Sequence, residues 1–297
     1  MNKLSLAGLA LALSAGSALA ADLPRYKAPP PPPPPMFSWT GLYAGVNVGY
    51  GFGAGGPGIG VQEYAGFQPV GAAVVALGGA GWSLPTNLSG VLGGAQLGVN
   101  YQFNSWLVLG VEADIQAAGL FAGQSSGFVP TAPVPAFAAN NVSVATGSQY
   151  VDWFGTWRGR IGLTPFMPNL MIYGTAGLAY GAVNDTFNYT TYFLPPGPVV
   201  GAASGTASYD SIKFGWTAGA GLEWAPMSYP NWSLKVEYLY TDLGSTTVRT
   251  NGIGPANAVG FSSVNSATHS VSHAWHTIRA GVNYRFNFAP APVVASY

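Results

Sequence analysis

WTGLYAGVNVGYGF, residues Trp39–Phe52, alternates without a break. From Leu42 onward every second residue is apolar: Leu42, Ala44, Val46, Val48, Tyr50 and Phe52. The positions between them, Gly41, Tyr43, Gly45, Asn47, Gly49 and Gly51, are small or polar with one aromatic. Successive side chains of a strand point to opposite faces, so a period of two marks a strand whose faces meet different surroundings. A soluble sandwich, a soluble barrel and a membrane barrel all use such strands. Recurrence of the pattern, and the face on which its charges fall, separates them.

The pattern recurs seven times. Alternation predicts further strands over Val91–Phe103, Trp106–Ala117, Gln149–Leu163, Leu170–Tyr180, Lys213–Trp224, Trp232–Thr241 and Trp275–Phe288. Each is long enough for the roughly 9–11 residues of a tilted membrane strand. Connections alternate in length. The intervals 53–90, 118–148, 184–210 and 243–270 are long, whereas the turns at Asn104-Ser105, Pro165–Pro168 and Pro226–Pro230 are short. Short periplasmic turns and long outer loops are the signature of an outer-membrane barrel, and an even strand number returns both termini to the periplasm. The fold expected is therefore all-β, an eight-stranded antiparallel up-and-down transmembrane β-barrel.

Composition agrees. Charged residues are 7% of the 297, aromatics 13%, and glycine contributes 42. Soluble domains usually carry roughly 25% charge. Beyond the N-terminus no apolar run approaches the ~20 residues of a membrane helix. A closed barrel is the other way to satisfy backbone polar groups in lipid. Ten basic and ten acidic residues cancel, which gives nucleic acid nothing to bind. With no cysteine, neither a disulfide framework nor a thiolate site is available.

The charges orient the strands. Arg158, Arg160, Lys213, Lys235, Arg279 and Arg285 fall on the glycine-rich face, as do Glu112, Asp114, Asp152, Glu223 and Glu237. An Arg or Lys facing the hydrocarbon midplane costs about 2–4 kcal/mol. The glycine face therefore lines the lumen and the apolar face meets lipid. An eight-stranded lumen is just wide enough for side chains to fill. These acids and bases are expected to pair there as a plug, with the inward glycines making room for them. Aromatics clustered at both strand ends, among them Phe103, Trp106, Trp224, Trp232, Phe214, Trp216 and Tyr238, fit two interfacial belts.

The N-terminus divides differently. Residues 1–20 combine Lys3, an apolar stretch and a small-x-small site at Ala18–Ala20, the pattern of a signal peptide cleaved between Ala20 and Ala21. Residues 21–38 form a periplasmic linker containing seven consecutive prolines, Pro29–Pro35, a stiff polyproline II rod of roughly 22 Å. It is either an inert exported tail or a tether. The barrel occupies 39–288, and a short tail, 289–297, follows.

No nucleophile–base pair is legible, so no enzyme is expected, and no cofactor. Glu112 and Asp114 share a face, but the inward arginines favour ion pairing over acid–base chemistry. Of His269, His273 and His276, the last points away from the others, so a metal site is not expected; the three are assigned to loops and the interface. The outer loops are rich in Gly, Ala, Ser, Pro and Asn without a readable motif.

The mature start ADLP, the proline spacer, WTGLYAGVNVGYGFG, WFGTWRGRIG, LMIYGTAGLAYG and the closing HTIRAGVNYRFNF together resemble the alphaproteobacterial 25/31-kDa major outer-membrane proteins of the OmpA-like barrel superfamily. The resemblance covers the linker and all eight strands. It implies an abundant, surface-exposed barrel supporting envelope integrity, with porin or heme-binding activity in some members. It also implies attachment of the mature N-terminus, here Ala21-Asp22, to peptidoglycan. Expected partners are outer-membrane lipid, the barrel assembly machinery and peptidoglycan. The family ends near Phe286, whereas this chain continues through Ala289–Tyr297.

Overall fold

The computed structural model describes residues 37–55, 58–67, 74–84, 87–123, 127–130, 140–194, 201–253 and 262–286. The expected signal peptide, its cleavage site, the linker through residue 36, the attachment residues Ala21 and Asp22, and the tail lie outside them.

Strands in chain order are β1 (Gly41–Gly53), β2 (Gly58–Phe67), β3 (Val74–Leu84), β4 (Ser89–Gln102), β5 (Leu107–Gly123), β6 (Gly127–Pro130), β7 (Asn140–Leu163), β8 (Leu170–Leu194), β9 (Gly201–Trp224), β10 (Trp232–Ile253) and β11 (Ser262–Phe286). Eight of them, β1-β4-β5-β7-β8-β9-β10-β11, form an antiparallel ring. It closes where β1 pairs β11, from Leu42↔Phe286 to Gly53↔Trp275. Closure leaves no strand edge in lipid. The short turns are built for economy: in the first, Asn104 Oδ1 accepts from the backbone N–H of both Trp106 and Leu107.

Alternation places Val46, Val48, Val91, Leu97, Val111, Ile115, Trp157, Leu178, Phe214 and Ile278 on the outside. The opposite face is buried in the lumen, with Asn47, Gln96, Glu112, Arg158, Lys235 and Arg279 among its residues. Some inward glycines serve neighbours other than the charges. A Cβ at Gly98 would strike the Tyr43 ring, and one at Gly221 would strike the Tyr173 hydroxyl.

Most described residues of the long outer segments continue as strand. Strands β7 to β11 run 24, 25, 24, 22 and 25 residues, about twice a membrane crossing. They carry the barrel wall past the membrane, and β2, β3 and β6 add to it. Along β8 the odd residues from Met171 to Tyr189 stay inside, yet their chemistry changes: Thr175 low down gives way to Val183, Phe187 and Tyr189. Outside, Leu178 and Tyr180 give way to Thr186 and Asn188. Polarity inverts because the outer surroundings change from lipid to water, while the fold and its alternation continue.

Above the membrane the wall is no longer continuous. Pairing of β10 with β9 stops at Asp242↔Trp216, whereas β8 pairs β9 up to Phe193↔Gly201. The register break lies at Asp242–Ser245, where Gly244 adopts φ 80°, in the left-handed region that favours glycine. The upper wall is thus two half-shells, β6-β7-β8-β9 and β10-β11-β2-β3.

Candidate functional site

The lumen is filled in layers. At the short-turn end, Trp39, Val108, Met171, Tyr173 and Ala225 form an apolar floor. Above it lies a closed charge network of four acids, Glu112, Asp114, Glu223 and Glu237, and four bases, Arg158, Arg160, Lys235 and Arg279. Each comes from an inward position of β5, β7, β9, β10 or β11.

Glu112 is the hub. It meets Arg158 at 2.5 Å, Lys235 at 2.9 Å, Arg160 at 3.2 Å and Arg279 at 3.5 Å. Asp114 binds Arg158 at 2.7 Å and Arg279 at 3.1 Å. Glu237 binds Arg279 at 2.6 Å and Arg158 at 2.9 Å. Glu223 holds Arg160 at 2.7 Å. Neutral donors add to the shell: Tyr43 Oη donates to Glu112 at 2.7 Å, Tyr173 Oη to Glu237 at 3.1 Å, Thr156 Oγ1 to Asp114 at 2.7 Å and Ser233 Oγ to Glu223 at 2.6 Å. The Arg160 guanidinium also lies 3.9 Å from the centre of the Tyr173 ring.

Side chains here are 0–3% exposed. Charges so thoroughly desolvated persist only when paired and hydrogen-bonded. The network meets that condition with four charges of each sign. Each of its four carboxylates meets at least one of these bases.

Three expected members sit elsewhere. Asp152 is exposed on the outer wall, where Asn184 Nδ2 donates to it at 2.8 Å. The register between β7 and β8 slips between Val151 and Trp153, making Asp152 an extra residue. Such a bulge reverses the alternation beyond it, so Val151 turns inward and Asp152 outward. Arg285 is inward and buried, but it joins the floor. Its guanidinium donates to the carbonyls of Ser38, at 2.8 Å, and Pro230, and it stacks on Phe37 and Trp39 at 4.5 and 5.2 Å. Lys213 lies higher still, with Nζ donating to the carbonyl of Ser245.

The floor locks the entering chain in place. Trp39, 1% exposed, donates from its indole to the carbonyl of Pro168 in the β7–β8 turn, at 2.8 Å. Its backbone N–H donates to Gln102 Oε1 at 2.9 Å. Segment 37–39 thereby touches residues at all three short turns, Gln102, Pro168 and Pro230, through its own groups or through Arg285.

Above the network a second apolar layer contains Leu88, Leu92, Leu120, Val151, Phe154, Val183, Leu243 and Trp275. Then comes a pair that sequence reasoning missed. His273, assigned to a loop, is fully buried, and its Nε2 meets Asp185 at 2.9 Å across the lumen. Its Nδ1 faces the carbonyl of Gly244 at 3.2 Å. His269 stacks on Phe187 with centroids 4.7 Å apart. His276 alone faces outward, 2.7 Å from the Tyr238 hydroxyl. The signal for Asp185 was present: Val183, Asp185, Phe187 and Tyr189 continue the period of two beyond Tyr180. A further apolar layer above it holds Leu84, Ala145, Phe187, Tyr189, Val248 and Ala267.

Comparison with known proteins agrees with this architecture. Residues 8–286 match the family model described as an outer membrane protein beta-barrel domain. The chain is 36% identical to the 31 kDa outer-membrane immunogenic protein of Brucella melitensis over 289 residues, covering 96% of this chain and 100% of that protein. It is 31% identical to the 22 kDa outer membrane protein of Rhizobium leguminosarum over 111 residues, 37% of this chain and 42% of that one. Among solved structures, the outer membrane protein OprG of Pseudomonas aeruginosa aligns at 12% identity over 84% of this chain and 97% of its own, with a TM-score of 0.37.

Proposed function

Because the chain belongs to the outer membrane protein beta-barrel family, we propose that it is a closed structural element of the outer membrane, joined to the cell wall through its N-terminal linker. The observation that carries this reading is the filled lumen. A neutral, fully paired charge layer lies between two apolar layers. The locked floor supports the tether. Tension along the linker would meet Trp39 and Arg285, which spread it to the short turns and to β11. Seven consecutive prolines, Pro29–Pro35, favour an extended linker that at polyproline II rise would give roughly 22 Å of reach toward the peptidoglycan.

Two experiments test the reading. Muramidase digestion of intact envelopes should release the barrel carrying a muropeptide at Ala21; recovery of a free N-terminus alone removes the tether. In planar bilayers the purified barrel should show no steady conductance. A reproducible open level would favour a small porin instead.

A further inference from the structure

We propose that the outer half of the barrel is a pair of hinged half-shells that part along the β9–β10 seam when the His269 ring takes up a proton. The seam has no backbone pairing above Asp242↔Trp216. Side chains bridge it: Lys213 Nζ donates to the carbonyl of Ser245 near its base, and Thr250 Oγ1 to that of Thr206 higher up, at 3.2 Å.

Across the lumen the contacts between the shells fall into two levels, and at the far edge β3 lies against β6 and β7. Nearest the membrane are polar pins. His273 on β11 reaches Asp185 on β8 at 2.9 Å, and Gln149 Nε2 on β7 donates to the carbonyl of Ser272 at 3.2 Å. Both His273 nitrogens face acceptors, Asp185 and the carbonyl of Gly244. Farther out the contact is apolar: Ala145, Phe187 and Tyr189 from one shell meet Val248, Ala267 and the His269 stack from the other.

His269 is the weak member of the outer level. It is 5% exposed, and its Nδ1 is buried without a partner. Burial holds its pKa below the usual histidine value, with Asp185 pulling the other way. Its register neighbours, Val248 on β10 and Gly60 on β2, offer no charge. The other titratable groups facing this space are His273 on its own strand, Tyr189 on β8, and Tyr209 and Lys213 on β9; Arg249 on β10 points outward. Asp185 is already engaged through both oxygens by His273. A proton on His269 thus places a charge in the apolar contact, which hydration relieves. In the closed state the cavity beside it measures about 10 Å³, room for one water. One water hydrates a charge only in part, so fuller relief comes with separation of the shells. Gly244, at the register break, supplies the pivot.

The chain has no cysteine, so the full-length barrel in lipid can be spin-labelled uniquely at Thr186→Cys on β8 and Thr247→Cys on β10, both exposed and on opposite shells. The label-to-label distance should lengthen and broaden between about pH 7.5 and about pH 5, the range in which histidine titrates. With His269→Gln added, it should stay at its neutral-pH value. A distance independent of pH in the parent, or a full response in H269Q, overturns the proposal. A second measurement stands apart from H269Q. Thr206→Cys and Arg249→Cys, both exposed beside the Thr250–Thr206 contact, can be joined across the seam by a short crosslinker containing a disulfide. Hydrogen exchange at residues 186–190, corrected for the intrinsic effect of pH, should accelerate in acid only after that disulfide is reduced. Equal acceleration in the oxidised form rules out opening at the seam.

Discussion

The Trp39 ring and the Arg285 guanidinium, 5.2 Å apart, join the point where the chain enters the barrel to its last ring strand. Arg285 also donates to the carbonyl of Ser38. The end of the linker is therefore part of the lumen floor. Trp39→Ala removes a fully buried indole and its bond to Pro168, and should cost about 3–5 kcal/mol. Denaturant unfolding of the barrel in lipid vesicles measures this. A cost near that of an exposed substitution would show that the floor contributes nothing to stability.

Glu112 faces four cations, whereas Glu223 meets one. Removing one partner from a buried ion cluster leaves uncompensated charge and typically costs about 3–5 kcal/mol. Glu112→Gln should fall at the top of that range and Glu223→Gln below it, in the same unfolding assay. The reverse order would place the hub of the network elsewhere.

Asp114 and Asp152 make a matched comparison, since sequence spacing puts both on the inward face. Asp152→Ala alters an exposed bulge and should shift stability by no more than about 0.5 kcal/mol. Asp114→Ala strips Arg158 and Arg279 of a partner and should cost several times as much. Equal effects would place Asp152 in the lumen after all.

His269 links stability to pH. Its pKa is depressed in the folded barrel, so the unfolded chain binds the proton more readily. Its neutral-state stability is fully present above the unfolded value of about 6.5. That stability is lost as pH falls from there through the folded value. His269→Leu removes both the titration and the unpartnered Nδ1. The acid limb of a melting-temperature profile should flatten in this variant, with no loss at neutral pH. An unchanged acid limb would assign the pH dependence to other groups.

Much of the membrane-embedded barrel is written in its alternation. Lipid outside and a crowded polar lumen inside impose opposite demands on adjacent residues, and Leu42–Phe52 shows both at once. The charge layer was legible for the same reason, because Glu112, Asp114, Arg158, Arg160, Lys235, Glu237 and Arg279 had only one face available. The upper barrel was harder to read. Water replaces lipid there, so Val183–Tyr189 still alternate but with apolar residues inside, and low charge made the stretch resemble a loop.

What required three dimensions was the placement of single residues across the lumen and beyond irregularities. The local pattern around Asp152 is indistinguishable from that of an inward acid, because the extra residue is defined only against Val183 and Ala182 on the neighbouring strand. Asp185 and His273 lie 88 positions apart and meet only because the ring closes. Arg285 shares its face with Arg279 and Asn283, yet it lies nearest the short-turn end, where Phe37 and Trp39 provide ring faces instead of carboxylates. Periodicity follows from surroundings that every residue of a strand shares, and a single sequence records it. Pairing across a lumen depends on register and closure, which are properties of the assembled sheet.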